Sequence, residues 1–281
     1  MKAYIVGTGS AGCRHSRILN FFGVKTIGVS EKKKNIDDLN YPHSFDLLIS
    51  LEECNPESKD LVVISSISSK HLELCNRFLS HPLVYCEKPG PNLSSEKIKV
   101  LFNLRFLDII EFFLKEADQI IGIDLTFNTN AKNWHPGEDY RKSYVFNKNL
   151  GGGCILTNSH EIDLMHAFGH KFNLEKFTIL EKYSDQNDEE IDASFSYQSN
   201  GFKIKSSLIS DNPKRIFEFK TKTGNYVYDF SVNNMSTKSL NSIDISYYKM
   251  WSSVLRNLGR LEYKLLPSSK DMQFIHKIKK A

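Results

Sequence analysis

The sequence predicts an α/β protein with two parts: an N-terminal doubly wound parallel sheet and a C-terminal α+β domain with a mostly antiparallel sheet. Three observations support this prediction. A glycine motif follows a short apolar strand near the N-terminus, apolar strands alternate with helices through the first third, and turn signals separate the strands of the second half. The expected domains are residues 1–102 and residues 103–281.

The first part alternates buried strands with helices. Strands are predicted over residues 3–6, 25–29, 60–65 and 83–86, helices over 13–22 and 71–79, and either a short strand or a helix start over 45–49. Strands that are apolar on both faces and separated by helices predict a parallel sheet.

The second part has the pattern of an antiparallel sheet. Its predicted strands are residues 119–128, 177–182, 191–197, 202–209, 215–220 and 226–230. Asn200-Gly201 and Thr223-Gly224-Asn225 lie between neighbouring strands and are typical of hairpin turns. A glycine run at residue 151 leads into an apolar helix, and helices over 245–257 and 270–280 follow the last strand.

Composition excludes several classes of protein. The 281 residues are 40% hydrophobic and 25% charged, which is ordinary for a globular chain and argues against disorder. The net charge of +4 predicts no nucleic-acid partner without a clustered basic patch. No apolar stretch is long enough for a membrane span, and Met1 runs into a strand without the features of a signal peptide. A cytoplasmic location is therefore expected.

The cysteines favour reduced thiols. There are five of them, with no Cys-x-x-Cys pair, which argues against a disulfide framework or a zinc site. No His/Asp/Glu cluster has the spacing of metal ligands, so no metal is predicted.

The glycine motif predicts dinucleotide binding. Gly7-Thr8-Gly9-Ser10-Ala11-Gly12 follows a strand and opens a helix, which is the context of a Rossmann domain. The glycines allow a tight turn and close approach of a pyrophosphate, while the helix N-terminus offers free N–H groups. The alternatives are a glycine turn without a ligand and a methyltransferase with a similar turn.

The end of the second strand bears on the choice between NADP and NAD. Ser30 stands where an acidic residue would bind the ribose hydroxyls of NAD, and Lys32 could neutralise a 2′-phosphate, so NADP is favoured. If Glu31 points at the ribose, NAD is the cofactor.

Three segments then carry a resemblance to a known family. They are the glycine motif, Glu87-Lys88-Pro89 after a buried strand, and the glycines 151–153 leading to His160-Glu161-Ile162-Asp163. In this order they resemble the glucose–fructose oxidoreductase/inositol dehydrogenase (Gfo/Idh/MocA) family of NAD(P)-dependent oxidoreductases, over nearly the whole chain. Residues 103–106 and 134–141 look like a subgroup associated with surface-polysaccharide and sugar-nucleotide pathways.

Lys88 and His160 are the expected catalytic residues. Lys88 ends a parallel strand, where doubly wound folds bind ligands, and its ammonium could polarise a hydroxyl or carbonyl. Glu87 could orient Lys88, and the bond before Pro89 is a candidate for the cis form. The resemblance implies that His160 passes the hydroxyl proton, while Asp163 is expected to brace the helix.

The resemblance also places binding residues. On the cofactor side these are Ser65, Ser66, Ile67 and His71 of the fourth-strand segment, with Glu87 and Lys88. Candidate substrate residues are Arg105, Trp134, Tyr140, Tyr144, Asn158 and His160, because sugars favour aromatic faces and polar donors.

Two departures from the family pattern stand out. The acidic residue expected three or four positions before His160 is absent, since Leu156 and Thr157 occupy those positions. The segment between Pro89 and Arg105 is also short, and it predicts only a brief helix over 92–97 and an edge strand over 100–103.

These observations leave two hypotheses. The first is an oxidoreductase that transfers a hydride between nicotinamide and a sugar, sugar acid or sugar nucleotide. The second is an NAD(P)-binding sensor or scaffold with impaired catalysis, which the missing acid favours. A homodimer or homotetramer is expected in either case.

Overall fold

The computed structural model describes residues 1–31, 35–134, 137, 139–184, 190–230, 242–258 and 266–280. The chain divides into two compact units. The first comprises Met1–Asn103 with Tyr247–Gln273, and the second comprises Leu104–Ser246 with Phe274–Ala281. Unlike the predicted division into residues 1–102 and 103–281, the first unit includes a segment from near the C-terminus. That segment lies there because Tyr247 and Trp251 make buried hydrogen bonds to the first unit.

The first unit contains a six-stranded, fully parallel sheet. In spatial order its strands are β3 (Leu47–Ser50), β2 (Lys25–Ser30), β1 (Lys2–Val6), β4 (Leu61–Ile64), β5 (Val84–Glu87) and β6 (Ile98–Leu101). The helices α1 (Ser10–Phe21) and α2 (His71–Arg77) belong to this unit. β4 is wholly buried, as its continuous apolar sequence predicts. The parallel sheet of the prediction is thereby confirmed.

The segment between β5 and β6 differs from the prediction. Residues 92–97 form no helix, and the edge strand is Ile98–Leu101 instead of residues 100–103. The reason is that residues near the C-terminus take the hydrogen bonds of this stretch. The Ser95 carbonyl accepts from Ser269 Oγ at 3.0 Å, and the Val100 N–H donates to the Pro267 carbonyl at 2.9 Å.

The second unit contains a mixed sheet that is mostly antiparallel. In spatial order its strands are β12 (Asn225–Asp229), β11 (Ile209–Thr221), β7 (Ile120–Asn130), β10 (Phe202–Ser207), β9 (Glu190–Ser199) and β8 (Phe177–Ser184). Only the β7–β10 pair is parallel. Asn200 and Gly201, both with positive φ, form the predicted turn between β9 and β10.

The remaining helices follow the predicted positions, with one addition. They are α3 (Asp108–Lys115), α4 (Cys154–Thr157), α5 (Ser159–Ala167), α6 (Ser242–Arg256) and α7 (Gln273–Lys280). The sequence did not predict α3, which buries Ile110 and Phe113. None of the helices in the described part of the chain is long and apolar enough to cross a membrane.

Candidate active site

The glycine turn connects β1 to α1 at the carboxyl edge of the parallel sheet. Gly7 has a φ of +112°, and a Cβ there would lie 2.6 Å from the backbone nitrogen of Ser66. A Cβ on Gly12 would overlap the carbonyl oxygen of Gly7. The turn therefore needs glycine at both positions to bring β1, α1 and the segment after β4 together.

Gly9 has a different role, because it faces open space. It is the N-cap of α1, has a φ of −81°, makes no side-chain cap hydrogen bond, and has no heavy atom within 4 Å of an added Cβ. An open helix N-terminus next to a crowded glycine turn suits the phosphates of a dinucleotide. The residues present, including Ser10 and Ala11, thus fit a nicotinamide dinucleotide.

The segment after β4 lies beside the turn. Ser65 Oγ donates a hydrogen bond to the Gly7 carbonyl at 2.9 Å, and the Ser65 N–H donates to the Val6 carbonyl at 2.8 Å. His71 is buried, and its Nε2 donates to the Ser66 carbonyl at 3.0 Å, so it braces the loop that contains Ile67. The structure brings this predicted cofactor segment next to the glycine motif.

The end of β2 contains an ion pair. Glu31 Oε1 lies 3.4 Å from Lys70 Nζ, and Lys70 also pairs with Glu73. Both pairs are exposed. Ser30 is the last residue of β2, one residue beyond the predicted range of 25–29. The Lys32 prediction falls outside the described residues.

Glu87 and Lys88 end β5, two strands away from the glycine turn in the same parallel sheet. Lys88 is half-buried, and the peptide bond between Lys88 and Pro89 is cis. Glu87 is buried; its Oε1 accepts from His15 Nε2 at 3.0 Å and from the Tyr247 hydroxyl at 2.9 Å. Burial opposes ionisation of Glu87, but hydrogen bonds from His15 and Tyr247 and the charge of Lys88 lower its pKa to about 2. Glu87 is therefore a carboxylate at neutral pH.

In the second unit, two buried ion pairs hold the helix that carries His160. Asp163 accepts two hydrogen bonds from Arg105, at 2.8 and 2.6 Å, and Glu161 accepts from Arg215 at 2.9 and 2.6 Å. His160 itself is half-buried. Asp163 does brace the helix, and the partner in this contact is Arg105, which the sequence placed on the substrate side.

The positions before His160 are occupied by neutral side chains. Thr157 and Asn158 are buried, and Asn158 Nδ2 donates to Ser206 Oγ at 2.7 Å. The described hydrogen bonds of Asn158 are thus to Cys154 and Ser206, both in its own unit. The structure supplies no carboxylate at position 156 or 157.

The other predicted substrate residues, Trp134, Tyr140 and Tyr144, are partly exposed aromatic residues. Trp134 Nε1 donates to Thr129 Oγ1 at 2.9 Å, and Tyr140 accepts from the Tyr183 hydroxyl at 3.0 Å. Lys132 Nζ lies 5.5 Å from the Tyr140 ring centroid. Tyr144 is half-buried. Sequence reasoning missed Tyr183, because only folding brings β8 next to this loop. It also missed Lys132, which lies over the Tyr140 and Tyr183 rings.

Metal-binding clusters are absent from the part of the chain that the structure describes: no group of three His, Cys, Asp or Glu residues there could hold an ion.

Comparison with known proteins shows similarity in fold. No family model and no curated protein sequence matches the chain. Solved structures match over its full length, among them GenD2 from gentamicin A biosynthesis in complex with NAD (TM-score 0.74, 12% identity, 93% of that chain). Two others are UDP-N-acetylglucosamine 3-dehydrogenase GnnA from Acidithiobacillus ferrooxidans (0.62, 10%, 96%) and a super-repressor mutant of Gal80p from Saccharomyces cerevisiae (0.65, 11%, 94%).

These matches show the class of fold. The protein is a two-unit α/β chain whose first unit has a Rossmann-like parallel sheet. More particularly, its fold is that of the Gfo/Idh/MocA-type oxidoreductases, so the resemblance seen in the sequence is confirmed at the level of the fold.

Proposed function

We propose that the protein is an NAD(P)-dependent oxidoreductase that transfers a hydride between nicotinamide and a sugar-type hydroxyl or carbonyl carbon. One observation carries this proposal: an open glycine turn and a half-buried lysine lie at the same edge of one parallel sheet. Doubly wound folds bind their ligands at this edge.

The residues of the chain have separate roles in this reaction. The turn Gly7–Gly12, with Ser65 and Ser66, holds the dinucleotide, which supplies the hydride chemistry when bound. Lys88 polarises the reacting oxygen through its ammonium group. His160 takes up or returns the hydroxyl proton through its imidazole ring.

A sugar, sugar acid or sugar nucleotide is the proposed substrate class. Support comes from the structural neighbours, since GnnA is a UDP-N-acetylglucosamine 3-dehydrogenase and GenD2 belongs to gentamicin A biosynthesis. The half-exposed rings of Trp134 and Tyr140 suit the apolar faces of a pyranose. A role in surface-polysaccharide biosynthesis, a homodimer or homotetramer and a cytoplasmic location stay predictions.

The cofactor claim is tested at Gly9. An alanine fits the protein there without overlap, but its methyl group enters the space that the phosphates need. We expect Gly9→Ala to raise the Kd for NADH and NADPH about 10- to 100-fold, roughly 1.4–2.8 kcal/mol, with an unchanged melting temperature. Intrinsic fluorescence titration measures both constants.

Gly224→Ala is the matched control, because Gly224 also has open space and no strained φ, but lies in the β11–β12 turn. Equal affinity of wild type and Gly9→Ala, or no binding by the wild type below millimolar concentration, would contradict the cofactor site. Turnover is then sought at 340 nm with a panel of sugars, sugar acids and nucleotide sugars.

A preference for NADP is proposed from Ser30 and Lys70. Glu31 is the only nearby acid that would repel a 2′-phosphate among the described residues ending β2, and Lys70 offsets its charge. We expect Glu31→Gln to raise the NADPH-to-NADH affinity ratio and Lys70→Gln to lower it, each by up to about fivefold, because exposed charges contribute about 0–1 kcal/mol. A wild type that binds NADH more tightly than NADPH, together with a Glu31→Gln variant whose NADH affinity falls while its NADPH affinity is unchanged, would assign the ribose contact to Glu31 and make NAD the cofactor.

An NAD(P)-binding sensor or scaffold is the second candidate. The neutral Leu156 and Thr157 before His160 favour it, and Gal80p, which shares the fold, is described as a repressor. Tight cofactor binding without turnover on the whole panel would support this candidate over the oxidoreductase.

A further inference from the structure

A chain of buried hydrogen bonds links a C-terminal helix to Glu87, the last residue of β5, which Lys88 follows. Trp251 Nε1 donates to His15 Nδ1 at 2.9 Å, and His15 Nε2 donates to Glu87 Oε1 at 3.0 Å. The Tyr247 hydroxyl donates to the same Oε1 at 2.9 Å. Trp251 and His15 are fully buried, and Glu87 and Tyr247 are each 5% exposed.

The indole fixes the tautomer of His15. A tryptophan N–H can only donate, so His15 Nδ1 must be an acceptor and carry no proton. The proton of the neutral imidazole is therefore on Nε2, which is the nitrogen that faces Glu87. Without Trp251, either tautomer is possible, and one of them turns a lone pair towards the carboxylate.

Tyr247 is a permanent donor in this network. Burial and the neighbouring charge of Glu87 raise its pKa well above the usual value, so its hydroxyl keeps its proton. Arg14 lies over the Tyr247 ring, 5.3 Å from its centroid, and the His15 ring packs edge-on against both aromatic rings. The donors are thus held in place from α1 and α6.

The network reaches Lys88 through the second carboxylate oxygen. Glu87 Oε2 accepts the backbone N–H of Lys88 at 3.1 Å, while Oε1 is held by two donors. The carboxylate is therefore fixed in position, and it holds the backbone N–H of Lys88. The positive charge of Lys88 in turn lowers the pKa of Glu87, so the two charges interact.

We infer that His15, Tyr247 and Trp251 are positioning residues that hold Glu87 and, through it, Lys88. This inference rests on the proposed function in one respect, the catalytic role of Lys88. The geometric part of the inference is that the network sets the environment of the Lys88 ammonium. This part does not depend on whether the protein is an enzyme.

The test removes one donor at a time. Tyr247→Phe deletes a hydroxyl, and Trp251→Phe deletes the indole N–H. Each is expected to lower kcat about tenfold, with the cofactor Kd and substrate KM changed less than twofold. The control is Tyr248→Phe, the next residue on the same helix, whose ring packs against Phe21 and Phe22. This control is expected to keep full activity.

A double-mutant cycle separates positioning from general structural damage. In a His15→Phe background the imidazole that links the indole to Glu87 is absent, so Trp251→Phe should have no further effect on kcat. Additive losses would indicate a purely structural role for Trp251 and overturn the tautomer argument.

A readout without turnover keeps the geometric inference testable if the protein is not an enzyme. Lysines are labelled as ε-¹³C-dimethyl derivatives, and the Lys88 NMR signal is assigned by its loss in Lys88→Arg. The Lys88 signal and its titration midpoint should shift in Tyr247→Phe and Trp251→Phe but not in Tyr248→Phe. An unchanged Lys88 signal in both folded variants would refute the inference, whereas absence of wild-type turnover would refute only the proposed function.

Discussion

Replacement of Lys88 by methionine is expected to abolish most of the activity, lowering kcat by about 10²–10⁴-fold, the range typical of a group that polarises or protonates a reacting oxygen. Methionine keeps much of the apolar stem but has no charge and no donor. Lys88 lies half-buried at the carboxyl end of β5, next to a carboxylate that is ionised at neutral pH. Stopped-flow or steady-state absorbance at 340 nm measures the loss on an identified substrate.

The affinity for the dinucleotide should change much less than kcat. The glycine turn and Ser65 hold the phosphates in this proposal, so the NADPH Kd of Lys88→Met should stay within about threefold of the wild type. Lys59→Met is the control, because Lys59 is an exposed lysine of the same unit whose ion pair, among the described residues, is with Glu57. Full turnover by Lys88→Met would remove Lys88 from the reaction, even if cofactor binding were intact.

Replacement of Arg105 by methionine is expected to destabilise the folded protein by about 3–5 kcal/mol, because it leaves the Asp163 carboxylate buried without its partner. For a chain of this size each kcal/mol lowers the melting temperature by about 2–4 °C, so a decrease of roughly 10 °C should follow. Thermal unfolding monitored by circular dichroism measures this decrease in melting temperature. Full stability of Arg105→Met would mean that the arginine is free to serve the substrate, as the sequence suggested.

Arg141→Met provides a control with the same chemistry at the surface. Arg141 also makes a two-pronged contact with an aspartate, Asp139, at 2.7 and 3.1 Å, but this pair is exposed. Its loss should leave the melting temperature unchanged. Both pairs consist of an arginine and an aspartate in a two-pronged contact, and they differ in burial. The difference in melting temperature between the two variants therefore tests the effect of burial.

The defect of Arg105→Met should depend on pH in a defined direction. Burial raises the pKa of Asp163 above its ordinary 3.8, and Arg105 opposes this effect. Without Arg105 the folded-state pKa rises further, so the folded protein binds this proton more tightly than the unfolded chain does. Stability then falls as the pH rises from the unfolded pKa to the folded one, and the defect should be smallest near pH 4.

Much of the first unit could be predicted, because its signals are local. The residues of β4 are apolar on both faces, and the motif Gly7–Gly12 has a spacing that few other structures require. The helix predicted over 92–97 is the exception. In this segment the Ser95 carbonyl accepts hydrogen bonds from Ser269 Oγ and from the Lys270 N–H. These partners are so distant in sequence that local helix propensity cannot indicate them.

The buried polar contacts could not be predicted for a related reason. Tyr247 and Glu87 are 160 residues apart, and Trp251 and His15 are 236 apart. Arg105 has no local feature that distinguishes a buried anchor from an exposed donor, and arginines are mostly exposed, so the sequence placed it with the substrate. Its pairing with Asp163, 58 residues later, becomes visible only in three dimensions.

The inclusion of Tyr247–Gln273 in the first unit also matters while the chain is being made. Domains generally fold as units during synthesis, with N-terminal ones first. Here the earliest third of the polypeptide leaves the ribosome without the tyrosine and tryptophan that cover Glu87 and His15. In the nascent parallel sheet, Glu87 and His15 therefore lack these buried hydrogen-bond partners until almost the whole chain has been translated. Nonsense mutations before residue 247 should leave a fragment that chaperones and proteases recognise.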